Sequence, residues 1–263
     1  MPTDHKVFRQ LRDYLHLNFA PRRHTALLIA IIGAFAARPL IGDGGAGPFI
    51  FSAALVLLLL VALYNINVDE LVGERGIVLA EAKRRRIVGW VLALTAAAEC
   101  VVVIVAPNRL LNLAGAICWL LFLSFVTFSE LRSVLRQREV TAETISMAIS
   151  VYLLLAVTWG FLYIVIFQLQ PGAFAGLVLP HSGGASDLQP IFPILGYYSL
   201  GMLSTIGAGN ITPASLQARY ATTAEAITGQ FYLAILVARL LGLQMSQSVG
   251  RPRIRPPVRT PNP

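Results

Sequence analysis

Charge is what this chain has least of. Asp, Glu, Lys and Arg make up 13% of its 263 residues, about half the roughly 25% usual in a soluble domain. So little charge cannot coat a water-soluble domain of this length. A cytosolic enzyme and a disordered scaffold are both excluded, and a multi-pass membrane protein remains. Cysteine is nearly absent as well: Cys100 and Cys118 are the only two. Both sit inside apolar runs, so neither a disulfide framework nor a CxxC metal site is indicated. No GxSxG elbow, HExxH pair or P-loop occurs, which leaves a catalytic reading without a motif. The first 24 residues lack an apolar core, so no cleavable signal is expected there.

Hydrophobic residues, at 56%, are abundant. A membrane span needs about 20 largely apolar residues. Five stretches qualify clearly: Phe49 to Ile66, Ile87 to Ala106, Leu110 to Phe128, Ile145 to Phe167 and Ala221 to Leu243. A sixth, Thr25 to Ile41, is interrupted near its end by Arg38 and Pro39. The formal net charge of +8 tests the count. With six spans, 18 of the 21 Lys and Arg fall on one side, and only Arg38, Arg109 and Arg219 on the other. The positive-inside rule then places both termini in the cytoplasm. In such a protein a basic excess reports topology and contact with anionic lipid, not nucleic acid. No internal repeat is visible. The tail from Ser246, ending RPRIRPPVRTPNP, lacks the apolar residues to fold alone.

One segment does not fit a plain helix. Residues 170–220 contain no Lys or Arg before Arg219. Gln170 to Gln189 reads as an external loop. Pro193 to Thr205, PILGYYSLGMLST, then begins with a proline suited to the first turn of a helix. A dozen helical residues rise about 18 Å, roughly half a bilayer. That is too short to cross and too apolar to float, so a re-entrant half-helix is expected. Next come Gly207 and Gly209, one residue apart, which permit backbone shapes closed to other residues. A non-helical segment at that depth exposes carbonyls that cannot face lipid, so it must line a polar cavity or pore.

The run STIGAGNITP, Ser204 to Pro213, resembles the selectivity-filter signature of potassium channels, whose usual form is TTVGYGDxxP. Thr205, Gly207, Gly209 and Pro213 are shared, with Ile206 in place of Val. The order of half-helix, filter, exit loop and long inner helix also agrees, and the resemblance covers roughly 145–245. It implies an all-α integral membrane fold of six transmembrane helices. A re-entrant pore helix and filter lie between helices five and six, and four chains close around one axis as a homotetramer. A dehydrated cation needs rings of oxygens in place of its water shell, and four strands of successive carbonyls supply them. By resemblance, Thr205, Ile206, Gly207, Ala208 and Gly209 are the ion-binding residues and Asn210 lies at the outer mouth. The family's tyrosine is Ala208 here, which removes an outward brace against the pore helix. Tyr197, Tyr198 and Met202 are candidates to fill that gap. The family's aspartate is Asn210, which deletes a ring of charge. Both departures bear on selectivity for K⁺ over other monovalent cations. Gly229 falls where the family often has a hinge, and Glu225, in the upper part of the last span, is a candidate support for the pore helix or filter.

A voltage sensor needs arginines along span four, each worth about 2.3 kcal/mol per 100 mV. Leu110 to Phe128 contains none. Arg132 and Arg136, i and i+4 on one face, read as the solvated side of a linker helix. The expected domains are a cytoplasmic segment 1–24, a four-helix peripheral domain 25–128 that resembles a voltage sensor without its charges, a linker 129–144, a pore domain 145–245 and a basic tail 246–263. Glu99 is an intramembrane carboxylate, either a functional group or a hydrogen-bonded packing residue. Gln230 either faces the cavity or braces a neighbouring subunit. His181, near Asp187, reads as a surface histidine. Trp90, Trp119 and Trp159 read as interface or packing residues. The sequence therefore leads to a non-enzymatic, homotetrameric channel of the plasma membrane, with K⁺ as the permeant ion and no cofactor. Its rivals are a secondary transporter with a re-entrant substrate loop and a non-conducting membrane subunit that keeps the pore fold.

Overall fold

The structure is a computed structural model, and it describes residues 23–41, 61, 87–95, 108–137, 139–177 and 188–249. In chain order these form α1 (Arg23–Ile41), α2 (87–95), α3 (Arg109–Arg136), α4 (Ala142–Leu169), β1 (Phe174–Ala175), α5 (Leu188–Leu203), β2 (Thr212–Pro213) and α6 (Leu216–Val249). Among the described residues, α3, α4 and α6 are long and apolar enough to cross a membrane. The second expected span, 49–66, lies outside the described residues apart from Val61, and the third is described over 87–95. Glu99, Cys100, His181 and the tail from Gly250 also lie outside them, as do residues 1–22.

Local chemistry sets the helix ends. Asn108 caps α3, its side chain accepting from the Leu110 N–H at 3.1 Å. Thr141 and Thr144 form a reciprocal capping box at the start of α4, satisfying donors that the first turn leaves free. Ser215 accepts from the Ala218 N–H at 3.2 Å and starts α6. Two expectations shift here. α3 runs without a break to Arg136, so Arg132 and Arg136 belong to its last turns and the connection to α4 is only residues 137–141. α5 begins at Leu188, which puts Pro193 inside the helix rather than at its first turn. Pro190 occupies the first turn instead. Pro193 lies in the second turn, where its missing N–H costs α5 one backbone hydrogen bond.

Contacts between ends fix the helix directions. Arg109 opens α3 and donates to the Gln168 carbonyl at the close of α4, at 2.8 Å. Those two helices are therefore antiparallel. Thr25 at the start of α1 donates to Glu143 in the first turn of α4, at 3.2 Å, so α1 and α4 run parallel. Glu225, early in α6, accepts from Tyr163, late in α4, and Tyr232, midway along α6, donates to the Ala148 carbonyl, early in α4, at 2.7 Å, so α6 is antiparallel to α4. Trp119 of α3 stacks on Phe161 of α4 at 5.7 Å, and Phe161 meets Phe192 of α5 at 4.8 Å. This row of rings carries the core from α3 to the short helix. Trp119 is a packing residue, 3% exposed. α4 and α5 touch at two glycines, where a Cβ on Gly160 would lie 3.3 Å from the Gly196 Cα.

Candidate functional site

The short helix α5 gives way after Leu203 to an irregular segment. Ser204 N–H donates to the Leu200 carbonyl and Thr205 N–H to that of Met202, each at 3.1 Å, and the helix stops there. Thr205 has φ +62° and Gly207 has φ +82°, while Ile206 and Ala208 do not enter the positive region. Thr205 is the one non-glycine residue with positive φ among the described residues. A β-branched residue is rarely found there, and such strain concentrates at functional sites. Alternation between left- and right-handed backbone turns successive peptides the same way, whereas a strand would point them to opposite sides. From Thr205 to Ala208 the sign of φ alternates, the pattern that a row of like-facing carbonyls requires, and the Gly207 oxygen lies against Gly201 of α5.

Backbone contact anchors that segment to α5. Gly207 N–H donates to the Gly201 carbonyl at 3.0 Å. Gly201 must be small, because a Cβ there would lie 3.1 Å from the Gly207 carbonyl oxygen. Ala208 is 2% exposed within the main apolar core, whereas Ile206 is 84% exposed. Thr205, Gly209 and Asn210 are exposed. Beyond the segment, β2 pairs antiparallel with β1, Phe174 opposite Pro213 and Ala175 opposite Thr212. Ala214 N–H adds a bond to the Ala173 carbonyl at 2.8 Å. This two-residue clip ties the exit of α4 to the exit of the irregular segment. The stretch read from sequence as a plain external loop thus begins with an ordered strand.

α4, α5 and α6 meet at one carboxyl group. Glu225 of α6 is fully buried. Tyr163 of α4 donates its hydroxyl to Glu225 Oε2. Ser199 Oγ of α5 lies 2.5 Å from Glu225 Oε1 and 2.7 Å from the Ala156 carbonyl oxygen. Tyr198 of α5 shares a 2.8 Å hydrogen bond with Thr222 of α6. Its ring meets Tyr163 and Phe174 edge-on at 5.2 and 5.4 Å. Of the three side chains considered as fillers beside Ala208, Tyr198 is fully buried, Met202 is half-buried and Tyr197 is 58% exposed.

α6 places these groups through a regular seam. Ala218, Thr222, Glu225, Gly229, Tyr232, Leu236 and Arg239 recur at alternating steps of four and three, so they share one face. Gly229 is buried on it, and a Cβ there would collide with the Leu203 carbonyl oxygen at the end of α5. The same carbonyl accepts from the Tyr152 hydroxyl at 3.1 Å. Gly229 thus serves close approach of α6 to α5. Arg239 ends the seam by donating to the carbonyls of Leu135 and Gln137, the latter at 2.9 Å. The opposite face, Thr223, Ile227, Gln230, Ala234, Val237 and Leu241, is exposed throughout.

The structure brings Thr205 to Asn210 together with Glu225 and Gly229 around the end of α5. It adds Tyr163, Ser199, Thr222 and Arg239, which sequence reasoning did not single out, and it gives Tyr198, expected only as a filler beside Ala208, a hydrogen bond to Thr222. The available signal was polarity inside apolar helices: a hydroxyl there must find a partner. No curated protein and no solved structure matches this chain. Residues 185–243 match the family model for an ion channel, a likeness over that stretch which, with the apolar helices, suggests a membrane protein.

Proposed function

We propose that this chain forms a homotetrameric cation channel that passes K⁺ passively through backbone carbonyls of Thr205 to Gly209, with weaker discrimination among monovalent cations than the family norm. The observation that carries the reading is the alternating backbone at Thr205 and Gly207, set at the end of a helix too short to span a bilayer. Carbonyls turned to one side replace a cation's hydration shell once several copies close a ring. The carbonyl end of α5 carries partial negative charge and favours a cation beyond it.

Assembly from four copies is supported by α6. In its membrane window only 6% of residues are buried, against 44% in α3 and 56% in α4. An exposed seam carrying Gln230 midway along an apolar helix is a poor lipid surface. It suits a water-filled axis or another copy, and closed rotational symmetry supplies both. Six spans, with both termini in the cytoplasm of a plasma-membrane protein, fit the helix directions: α1 and α4 parallel, α3 and α6 antiparallel to α4. The linker and first helices form a peripheral unit without gating charges, and basic segments at the cytoplasmic face meet anionic lipid. Gly229 at the α5 contact and Glu225 behind the filter support the pore.

Purified protein in planar bilayers under a K⁺/Na⁺ gradient tests this. Reversal on the potassium side of zero, short of the potassium potential, is the expected result. Reversal near zero with clear unitary currents means that Ala208 and Asn210 have relaxed selectivity. Saturable, ion-coupled flux without unitary currents identifies a transporter. A folded tetramer without flux, indistinguishable from its Gly207→Ala control, identifies a non-conducting subunit and overturns the proposal.

A further inference from the structure

Ser199 carries one hydroxyl hydrogen and touches two acceptors. Its Oγ lies 2.7 Å from the Ala156 carbonyl and 2.5 Å from Glu225 Oε1. One proton cannot be donated fully to both. If Glu225 were a carboxylate, either its Oε1 or the Ala156 carbonyl would face a lone pair of Ser199 at hydrogen-bond distance. The other carboxyl oxygen is already occupied by the Tyr163 hydroxyl. The arrangement closes only if one more hydrogen lies between Ser199 and Glu225.

Charge leads to the same place. α4 and α5 contain no lysine or arginine. On α6, Arg219 directs its Nε to the Pro213 carbonyl at 3.2 Å, and Arg239 is engaged at the far end of the seam. The titratable groups that face Glu225 are tyrosines: Tyr152 and Tyr163 from α4 and Tyr198 from α5. Among the described residues no cation stands beside Glu225, and a fully buried carboxylate so placed is strongly unfavourable.

We infer that Glu225 is held as a neutral carboxylic acid, donating from Oε1 to Ser199 and accepting at Oε2 from Tyr163. Ser199 in turn donates to the Ala156 carbonyl. The result is a one-way chain of three hydrogen bonds. It leaves α4 at Tyr163, crosses α6 and α5, and returns to α4 at Ala156, two turns below its start. Every donor and acceptor is used once, and no charge is buried. Glu225 is thus a positioning residue whose proton fastens the short helix to both long ones. Its consequence for ion selectivity rests on the channel reading above; the proton assignment does not.

Infrared spectroscopy of the full-length protein in lipid at neutral pH tests it. A carboxylic-acid C=O band should be present, should shift in D₂O, and should vanish in Glu225→Gln. Ser199→Ala, which removes the acceptor of the acid proton, should move that band to higher frequency, and it provides the readout if the glutamine variant does not fold. Glu225→Gln preserves the pattern, since an amide N–H replaces the acid O–H, so the K⁺/Na⁺ permeability ratio should stay within about twofold of wild type. Glu225→Ala should lower that ratio about tenfold. An unchanged acid region in Glu225→Gln, with loss from the carboxylate region instead, overturns the assignment. A band that behaves as stated in a protein that does not conduct leaves the assignment standing and sinks the channel reading.

Discussion

Arg239 of α6 donates its guanidinium to the Gln137 carbonyl, 2.9 Å away, just beyond the last residue of α3. A second donation reaches the carbonyl of Leu135. Arg239, ten residues before the end of α6, is thereby the C-terminal cap of α3. The cation meets both the unsatisfied carbonyls and the negative end of the α3 dipole.

Arg239→Gln should lower stability by about 1–3 kcal/mol, the range for hydrogen bonds to a charged donor. Lysine should recover only part, because an ammonium lacks the planar fork that reaches two carbonyls. Thermal unfolding of the purified protein in one detergent checks the order wild type, Lys, Gln. Equal midpoints for Arg and Gln would remove the cap from the account.

Gly207→Ala places a side chain at φ +82°, a cost of roughly 1–2 kcal/mol for an L-residue. Gly201→Ala brings a Cβ to 3.1 Å from the Gly207 carbonyl oxygen and strains the same segment from behind. Both variants should assemble and lose K⁺ flux in proteoliposomes. Normal flux in either would dissociate the segment from conduction.

Gly229 separates two roles. A hinge replaced by alanine keeps its stability and changes gating. A close-approach glycine cannot accept a methyl group beside the Leu203 carbonyl, and overpacking costs about 1–3 kcal/mol. Gly229→Ala should therefore lower the thermal unfolding midpoint of the purified protein in detergent, and an unchanged midpoint with altered gating would make it a hinge.

Asn210 is exposed at the outer end of the segment. Asn210→Asp adds a negative ring there if four copies surround the axis, and it raises the local cation concentration. Unitary conductance should increase at low ionic strength. The gain should fade as salt shortens the Debye length to about 3 Å near 1 M. An increase independent of salt would argue against a surface-charge origin.

Ala208→Tyr should not restore the family's brace. Ala208 lies in a closed core that already holds the fully buried Tyr198. The larger ring overpacks that core, and a loss of about 1–3 kcal/mol is expected. Pairing it with Tyr198→Ala vacates the space. The double variant should unfold at a higher temperature than Ala208→Tyr alone.

Much of the site could be read from residue order. Thr205, Gly207 and Gly209 follow an apolar run too short to span, and backbone geometry alone made that segment special. Glu225 stood out because a carboxyl group in an apolar helix needs a partner. The partners themselves were illegible. Tyr163 lies 62 residues before Glu225 and Ser199 lies 26 before it, and neither spacing carries a helical period. Gly229 was open to two meanings because a missing Cβ reads the same at a bend as at a contact.

Composition and hydropathy, by themselves, pointed to the solvent this chain lives in and to a place between its last two long helices where the backbone is not helical. Those are local properties, fixed by which side chains water rejects and which residues tolerate positive φ. Only the tertiary structure decided that α6 turns Glu225, Gly229 and Arg239 inward on one seam and leaves Gln230 outward. That choice depends on helices far apart in sequence meeting at complementary surfaces. A buried polar group has no preferred partner until packing brings one within hydrogen-bond reach.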